Sequence, residues 1–286
     1  MGAGADRRPT GVARPAPGQN AMVIDTAELL ELAVDVGRRA GALLVERRPS
    51  GDLEFDTKSS PTDVVTVMDT ASERLITEAL RAARPGDGIL SEEGADADGG
   101  TGVRWIVDPI DGTVNYLYGI PLWAVSIAAE FEGEIVAGVV HNPMSGETFT
   151  ACRGEGAYLA RHRLRVTAAD DLSKALVATG FSYVSEQRAR QAKALQAVLP
   201  AVRDIRRGGS AALDLCWLAA GRLDGFYERE LKPWDLAAGG LVAREAGARV
   251  EGPHGRPAGE GLTIAAGPAL FPALHDLIVP VAGGDD

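Results

Sequence analysis

The amino-acid sequence predicts an α/β protein in which layers of helix alternate with sheets, an antiparallel sheet in the N-terminal half and a mixed sheet in the C-terminal half. Three observations point there. Two amphipathic helical repeats lie between residues 25 and 84, short strand patterns fill 89 to 151, and helix and strand patterns interleave after 166. At 286 residues the chain can form one large domain or two small packed ones. With 45% hydrophobic and 24% charged residues, it falls outside the collagen-like, disordered and disulfide-scaffold classes. No apolar run reaches the ~18 residues of a membrane span, so no membrane association is expected.

Residues 1–21 mix Gly, Pro, Ala and Arg without periodicity and read as a disordered tail. They lack the apolar core of a signal peptide, and Asp6 stands where a myristoylation signal needs Ser or Thr. An N-terminal α+β half is expected over 22–165 and a C-terminal α/β half over 166–286. Asp25 and Glu28 form a capping box ahead of Leu29, Leu32, Ala33, Val36, Ala40, Leu43 and Leu44, whose 3–4 spacing marks a helix that stops at Pro49. A second helix runs from about Thr70, capped with Glu73, to Arg84. Strands follow at 89–91 and 103–107, separated by an acidic, Gly-rich loop. Those at 124–131 and 135–140 flank Glu132-Gly133-Glu134 as a hairpin, and one at 148–151 completes a meander before Gly154-Glu155-Gly156 turns the chain. Beyond 166, strands are expected at 176–179, 225–228, 249–250 and 262–266, with helices at 186–199, 210–220, 236–246 and 270–278.

The charge balance, 29 Lys and Arg against 40 Asp and Glu, disfavours nucleic acid and anionic membranes as partners. An acidic chain that handles phosphate needs cations between the two. Cys152 and Cys216 have no metal-ligand spacing and read as structural thiols of a reducing cytosol. No role is assigned to His141, His162, His254 or His275.

The densest chemical signal is Trp105-Ile106-Val107-Asp108-Pro109-Ile110-Asp111-Gly112-Thr113. A buried strand delivers Asp108, Pro109 forces a turn, and Gly112-Thr113 opens a helix. Two carboxylates, a carbonyl and free backbone N–H groups thereby share a small volume. These are the hard oxygen ligands of Mg²⁺ and the donors that suit a phosphate. Glu92 and Glu93 follow another strand, while Asp69 and Asp235 each stand at a helix start. Carboxylates gathered from four element ends are tolerated only with cations among them, since two charges ~4 Å apart repel by about 4 kcal/mol at an effective dielectric near 20.

WIVDPIDGTVNY together with WDLAAGGLVAREAGA resembles the two signature motifs of the inositol monophosphatase family. Lys58-Ser59-Ser60-Pro61-Thr62-Asp63 with Thr66 and Asp69, Ser91-Glu92-Glu93-Gly94, Gly209-Ser210-Ala211-Ala212 and Tyr227-Glu228 resemble its other site segments in order, over roughly residues 25–280. The resemblance implies a sugar-phosphatase-like layered α-β-α-β-α fold and a soluble cytoplasmic homodimer. It also implies Mg²⁺ as cofactor, Li⁺ sensitivity, and hydrolysis of myo-inositol monophosphate by a metal-activated water. In that reading Glu92, Asp108 and the Ile110 carbonyl hold one Mg²⁺, and Asp108, Asp111 and Asp235 hold a second. Glu92 also serves a third, weaker ion. Asp69 and Thr113, with Glu92, act on the attacking water. The phosphate meets the Ile110–Thr113 turn through the N–H groups of Gly112 and Thr113, beside Asp111. Gly209, Ser210, Ala211, Glu228 and Asp235 face the alcohol, with Lys58 and Glu93 as accessory residues.

Tyr118 and the Glu230-Leu231-Lys232-Pro233 run depart from the best-known pattern, and both were expected beside the alcohol. The D-x-D-G-T motif of haloacid dehalogenase phosphatases is excluded, because Pro109 occupies the slot of its nucleophilic Asp. Histidinol phosphate or another small sugar phosphate is the alternative substrate. A non-catalytic partner of the transcription machinery is the alternative of a different class.

Overall fold

The computed structural model describes residues 24–48, 55–58, 64–94 and 96–282. The expected tail, the Pro49 stop and the Ser59–Asp63 run lie outside the described residues. Helix α1 (Thr26–Glu46) is followed by the hairpin β1 (Phe55–Thr57) and β2 (Val64–Thr66) and by α2 (Val67–Ala83). Next come β3 (Gly88–Ser91), β4 (Asp96–Ala97), β5 (Val103–Asp111) and α3 (Thr113–Tyr118). The meander comprises β6 (Ala124–Phe131), β7 (Glu134–Asn142), β8 (Glu147–Cys152), β9 (Gly156–Leu159) and β10 (His162–Arg163). The remainder is β11 (Leu176–Thr179), α4 (Ser185–Val198), β12 (Asp204–Arg206), α5 (Ala211–Ala219), β13 (Gly225–Glu228), α6 (Pro233–Glu245), β14 (Arg249–Glu251), β15 (Thr263–Ala266) and α7 (Phe271–Ala282).

Among the described residues, two large sheets and three helical layers result, beside the two-stranded β1·β2 sheet. The first sheet has the order β10-β9-β8-β7-β6-β5-β3-β4, antiparallel except for the parallel pair β3·β5. The second, β12-β11-β13-β15-β14, is mixed: β11 runs parallel to β12 and β13, and β15 antiparallel to β13 and β14. Alternation along β5 shows how the layers are held. Trp105 and Val107 join Leu29, Val36, Ile76 and Leu80 under α1 and α2, whereas Ile106 points the other way, into the layer of α5 and α6. That middle layer also covers the second sheet through Leu215, Leu218 and Phe226, and α4 and α7 close its far face through Val198, Leu274 and Ile278. The α-β-α-β-α order expected from the family resemblance is the observed one.

Several boundaries differ from the sequence reading. Asp25 caps α1 by accepting from Ala27 N and Glu28 N, while the Glu28 carboxylate lies 3.6 Å from Arg84. Helix α2 starts at Val67 rather than Thr70, because Thr66 Oγ1 accepts from Met68 N and Asp69 accepts from Thr66 N in a reciprocal cap. Helix α6 starts at Pro233, which needs no N–H partner at that position, and Asp235 accepts from Lys232 N. Strand β5 continues through Pro109 to Asp111, with a register irregularity between Asp108 and Asp111. The short pieces β1, β2, β4, β9, β10 and β12 carry too few alternations to show in the pattern. His141 lies buried in β7 rather than in a loop, and Cys152 ends β8.

Gly138 of β7 sets how closely α6 approaches the first sheet, since a Cβ there would sit 3.1 Å from Ala238 Cα. Gly138→Val is expected to lower stability by about 1–3 kcal/mol, as overpacking does. A urea midpoint equal to wild type would show that the sheet and α6 have room to separate.

Candidate active site

The carboxyl ends of β3 and β5 and the N-termini of α5 and α6 meet at one cavity of about 720 Å³, with the start of α2 behind it. Its centre is the β5 terminus, where β5 leaves regular pairing between Asp108 and Asp111. Asp108 Oδ1 accepts from Ile110 N at 3.0 Å across the strand irregularity, so Pro109 lies within β5 and not in the expected turn. Gly112 then takes φ +99°, a left-handed conformation, at the N-cap of α3. A Cβ at Gly112 would stand 3.0 Å from Leu122 O and 3.1 Å from Gly209 O, so only glycine fits both the backbone and the space.

One oxygen from each of Asp108, Asp111 and Asp235 lies within 4.8 Å of the others. Each carboxylate is also held from outside the cluster. Asp111 Oδ2 accepts from Ser210 Oγ at 2.5 Å and Ala212 N at 2.8 Å, at the N-terminus of α5. Asp235 Oδ2 accepts from Lys232 N at 2.7 Å. Behind the cluster, buried Asp69 receives Thr113 Oγ1 at 2.9 Å on Oδ1, and Thr66 N at 2.8 Å and Thr66 Oγ1 at 2.6 Å on Oδ2. The Ile110 carbonyl lies 3.0 Å from the same Thr113 hydroxyl. Glu92 stands to one side, close enough for its charge to raise Asp108, and its Oε1 accepts from Lys58 Nζ at 2.9 Å. Lys58 also binds Glu93 at 2.5 Å, and Glu73 anchors this corner by accepting from Glu93 N at 2.9 Å.

Loss of solvent raises the pKa of every carboxyl in this group, and neighbouring negative charge adds to it. Asp108 is pushed well above the carboxylate range by burial and then by Glu92, Asp111 and Asp235. Asp235 is raised by burial and Asp111. Asp111 reaches about 6, burial prevailing over the donors from Ser210 and Ala212. Asp69 rises by burial, against its hydrogen bonds from Thr66 and Thr113. Burial works against the charge of Lys58, yet Glu92 and Glu93 more than offset it and hold the ammonium above its usual range.

Lys58, Glu92, Asp108, Ile110, Asp111, Gly112, Thr113, Gly209, Ser210, Ala211, Glu228 and Asp235 all line the cavity. Asp69 lies behind Thr113, and Glu93 reaches the rim through Lys58. Ser210 was expected to face the alcohol, but its hydroxyl donates to Asp111 and accepts from Leu213 N. Tyr118 is 76% exposed at the end of α3 and is not among the lining residues, so its expected place beside the alcohol is corrected. Glu230, Leu231 and Lys232 do line the cavity.

This arrangement has counterparts among known proteins. Residues 25–282 match the inositol monophosphatase family. The chain belongs to that family. It is 50% identical over 248 residues to inositol-1-monophosphatase of Mycobacterium bovis, covering 83% of this chain and 86% of that one. It is 42% identical over 224 residues to Nus factor SuhB of Vibrio cholerae, covering 78% and 84%. The crystal structure of the extragenic suppressor protein suhB from Bartonella henselae superposes with a TM-score of 0.82 at 39% identity, covering 88% and 98%.

Three parts of this inositol monophosphatase family site escaped the sequence reading. Gly180, Phe181, Ser182 and Tyr183 line the cavity at the carboxyl end of β11, a general location for binding loops in open α/β sheets. Arg207 lines it beside Gly209. Asp214 sits inside α5, 2% exposed, with Oδ1 unpartnered, and burial then Asp111 push it up to about 8. A lone carboxylate in the apolar run AALDLCWLA was the available signal.

Carboxyls with raised pKa values make the folded state hold protons that the unfolded chain has already released. Stability of the cation-free protein is therefore full near pH 4 and falls as pH rises through about 6 for Asp111 and about 8 for Asp214. EDTA-treated protein is expected to melt at a lower temperature at pH 8.5 than at pH 5. Added Mg²⁺ should raise the melting temperature more at pH 8.5. Equal melting temperatures would show the carboxyls to be compensated without a cation.

Proposed function

We propose that this protein is a Mg²⁺-dependent phosphate monoesterase that hydrolyses myo-inositol 1-phosphate to inositol and phosphate, water attacking the phosphorus directly. The observation that carries the reading is the convergence of Asp108, Asp111 and Asp235 within 4.8 Å beside the Ile110 carbonyl and the Asp69–Thr113 pair. The donor set fits Mg²⁺. It is all hard oxygen, and the charges that push Asp108 and Asp235 upward are those a divalent ion neutralises. Glu92, Asp108, the Ile110 carbonyl, Asp111 and Asp235 would hold the ions. When bound, Mg²⁺ lowers the pKa of water and neutralises charge on the phosphoryl group and the leaving alkoxide.

The chain's own residues supply orientation. Thr113 Oγ1, which donates to Asp69, can take a proton from an attacking water while passing its own toward that carboxylate. Thr66 fixes the other Asp69 oxygen, so the pair keeps one geometry. The left-handed turn at Gly112 exposes backbone N–H groups at the start of α3 to the phosphoryl oxygens. Ser210 and Ala212 N hold one Asp111 oxygen in place. Glu228 faces the cavity from the end of β13, where Gly180 leaves room for its carboxylate: a Cβ there would overlap it. A carboxylate at that rim suits polyol hydroxyls.

Sequence identity to inositol-1-monophosphatase over most of the chain favours inositol 1-phosphate over histidinol phosphate. Phosphate release from the two esters compared side by side tests the choice, and faster release from histidinol phosphate would overturn it. Inhibition by Li⁺, a homodimeric assembly and a cytoplasmic location belong to the same reading. Among the described residues no helix is long and apolar enough to cross a membrane. The likeness to a Nus factor supports a second role, as a partner of the transcription machinery. The net charge of −11 favours protein contact there over direct contact with RNA.

Asp111→Asn is expected to lower turnover about a hundredfold or more, because it removes charge from the shared cluster as the leaving oxygen becomes anionic. EDTA should abolish turnover and Mg²⁺ restore it. Full turnover in either experiment would remove the metal mechanism. Glu228→Ala should lower kcat/KM for inositol 1-phosphate about ten- to a hundredfold, the scale of a hydrogen bond to a charged group. Hydrolysis of p-nitrophenyl phosphate, which has no hydroxyls to offer, should change little. Equal loss on both esters would place Glu228 with the phosphate chemistry instead.

A further inference from the structure

A second cavity, of about 660 Å³, opens between α4, the last turns of α7 and the loop at 253–256. Its ionisable lining residues are all basic: Arg190, Lys193, Arg229, Arg256 and His254. That is a local reversal in a chain whose acids outnumber its bases 40 to 29. Val279, Pro280 and Val281 give the cavity an apolar side. Arg190 donates to Gln187 Oε1 at 3.4 Å and Arg256 to the Pro253 carbonyl at 3.5 Å, and further polar groups are also held in place. Gln191 Oε1 accepts from Ser182 N at 2.9 Å, which turns its amide N–H₂ to other partners, and Arg229 donates to the Ala282 carbonyl.

A concave wall carrying one sign of charge concentrates counter-ions, and arginine forks match phosphate oxygens. The volume lies within the roughly 300–1,000 Å³ of small-molecule pockets, and the chain's net charge of −11 disfavours a nucleic-acid strand as its occupant. We propose that this cavity is a binding site for a small phosphorylated organic molecule, its phosphate on Arg190, Lys193 and Arg229 and its carbon body on Val279 and Val281. The site is separate from the carboxylate cluster. Arg229 lines both cavities and follows Glu228 directly, so the new site adjoins the rim proposed to hold the alcohol.

Calorimetric titration of the full chain with phenyl phosphate and with inorganic phosphate, both in EDTA, tests this. Without metal the acidic cavity repels dianions, whereas the basic one needs no metal. One phenyl phosphate should bind per chain, more tightly than inorganic phosphate because of the apolar side. Affinity should fall about tenfold or more in Arg190→Gln/Lys193→Gln, which removes two charge-assisted partners. Basal hydrolysis by that variant in Mg²⁺ should match wild type, which also shows that it is folded. No binding, or equal binding by wild type and variant, overturns the proposal. Tighter binding of inorganic phosphate overturns the organic ligand. Binding seen only after Asp285→Asn/Asp286→Asn would assign the cavity to the chain's own acidic residues and overturn it as well.

Discussion

Mutual repulsion among the carboxyl groups of Asp69, Glu92, Asp108, Asp111, Glu228 and Asp235, drawn to one cavity and withdrawn from water, governs how the surrounding structure is built. Asp108 accepts from Ile110 N, and four others are each opposed by something specific. Thr66 and Thr113 serve Asp69, Lys58 serves Glu92, and the N-termini of α5 and α6 serve Asp111 and Asp235. These donors leave the cost of burial and, after it, the repulsion only partly offset, and the pKa values of all six stay raised, first by loss of solvent and then by neighbouring charge. Three of these groups, Asp108, Asp111 and Asp235, bring one oxygen each within 4.8 Å of the others, the oxygen donor set a cation would neutralise.

The fold makes such a concentration of charge sustainable by keeping it at element ends. Strand interiors such as Trp105 to Val107 carry no carboxylate and lock the sheet between two apolar layers. The acids begin where ladder pairing stops or shifts, at Asp108 and Asp111, or where a helix has unpaired N–H groups to offer, at Asp69 and Asp235. Packing and chemistry are thereby separated along each element. Asp214 breaks this rule. It lies within α5, neighbour to the charge of Asp111, and its unpartnered Oδ1 sits where a Cβ on Gly208 would strike it at 2.5 Å.

The layered order was legible because long helices repeat every 3–4 residues and β6, β7 and β8 are long enough to recognise. Two- and three-residue strands such as β4 and β12 arise from tertiary pairing and leave no mark in a short sequence window. The start of α2 was misplaced because Thr70 with Glu73 and Thr66 with Asp69 offer the same capping pattern, and only the contact of Asp69 with Thr113 distinguishes them. At the site, residues on contiguous motifs were found from the sequence. Arg207 and the 180–183 loop were missed because they reach the cavity through the fold and belong to no charge-rich motif. Ser210 shows a further limit: sequence could place it at the cavity but not reveal that its hydroxyl is turned toward Asp111.

The distribution of these groups along the chain has a bearing on synthesis. A nascent chain that has left the ribosome only as far as residue 165 already carries Asp69, Glu92, Asp108 and Asp111. It lacks Ser210 and Ala212, which steady Asp111, and Asp235, which completes the three-carboxylate cluster. The groups that complete this corner are therefore all present only once residue 235 has been made. The three-carboxylate cluster is a property of the finished polypeptide.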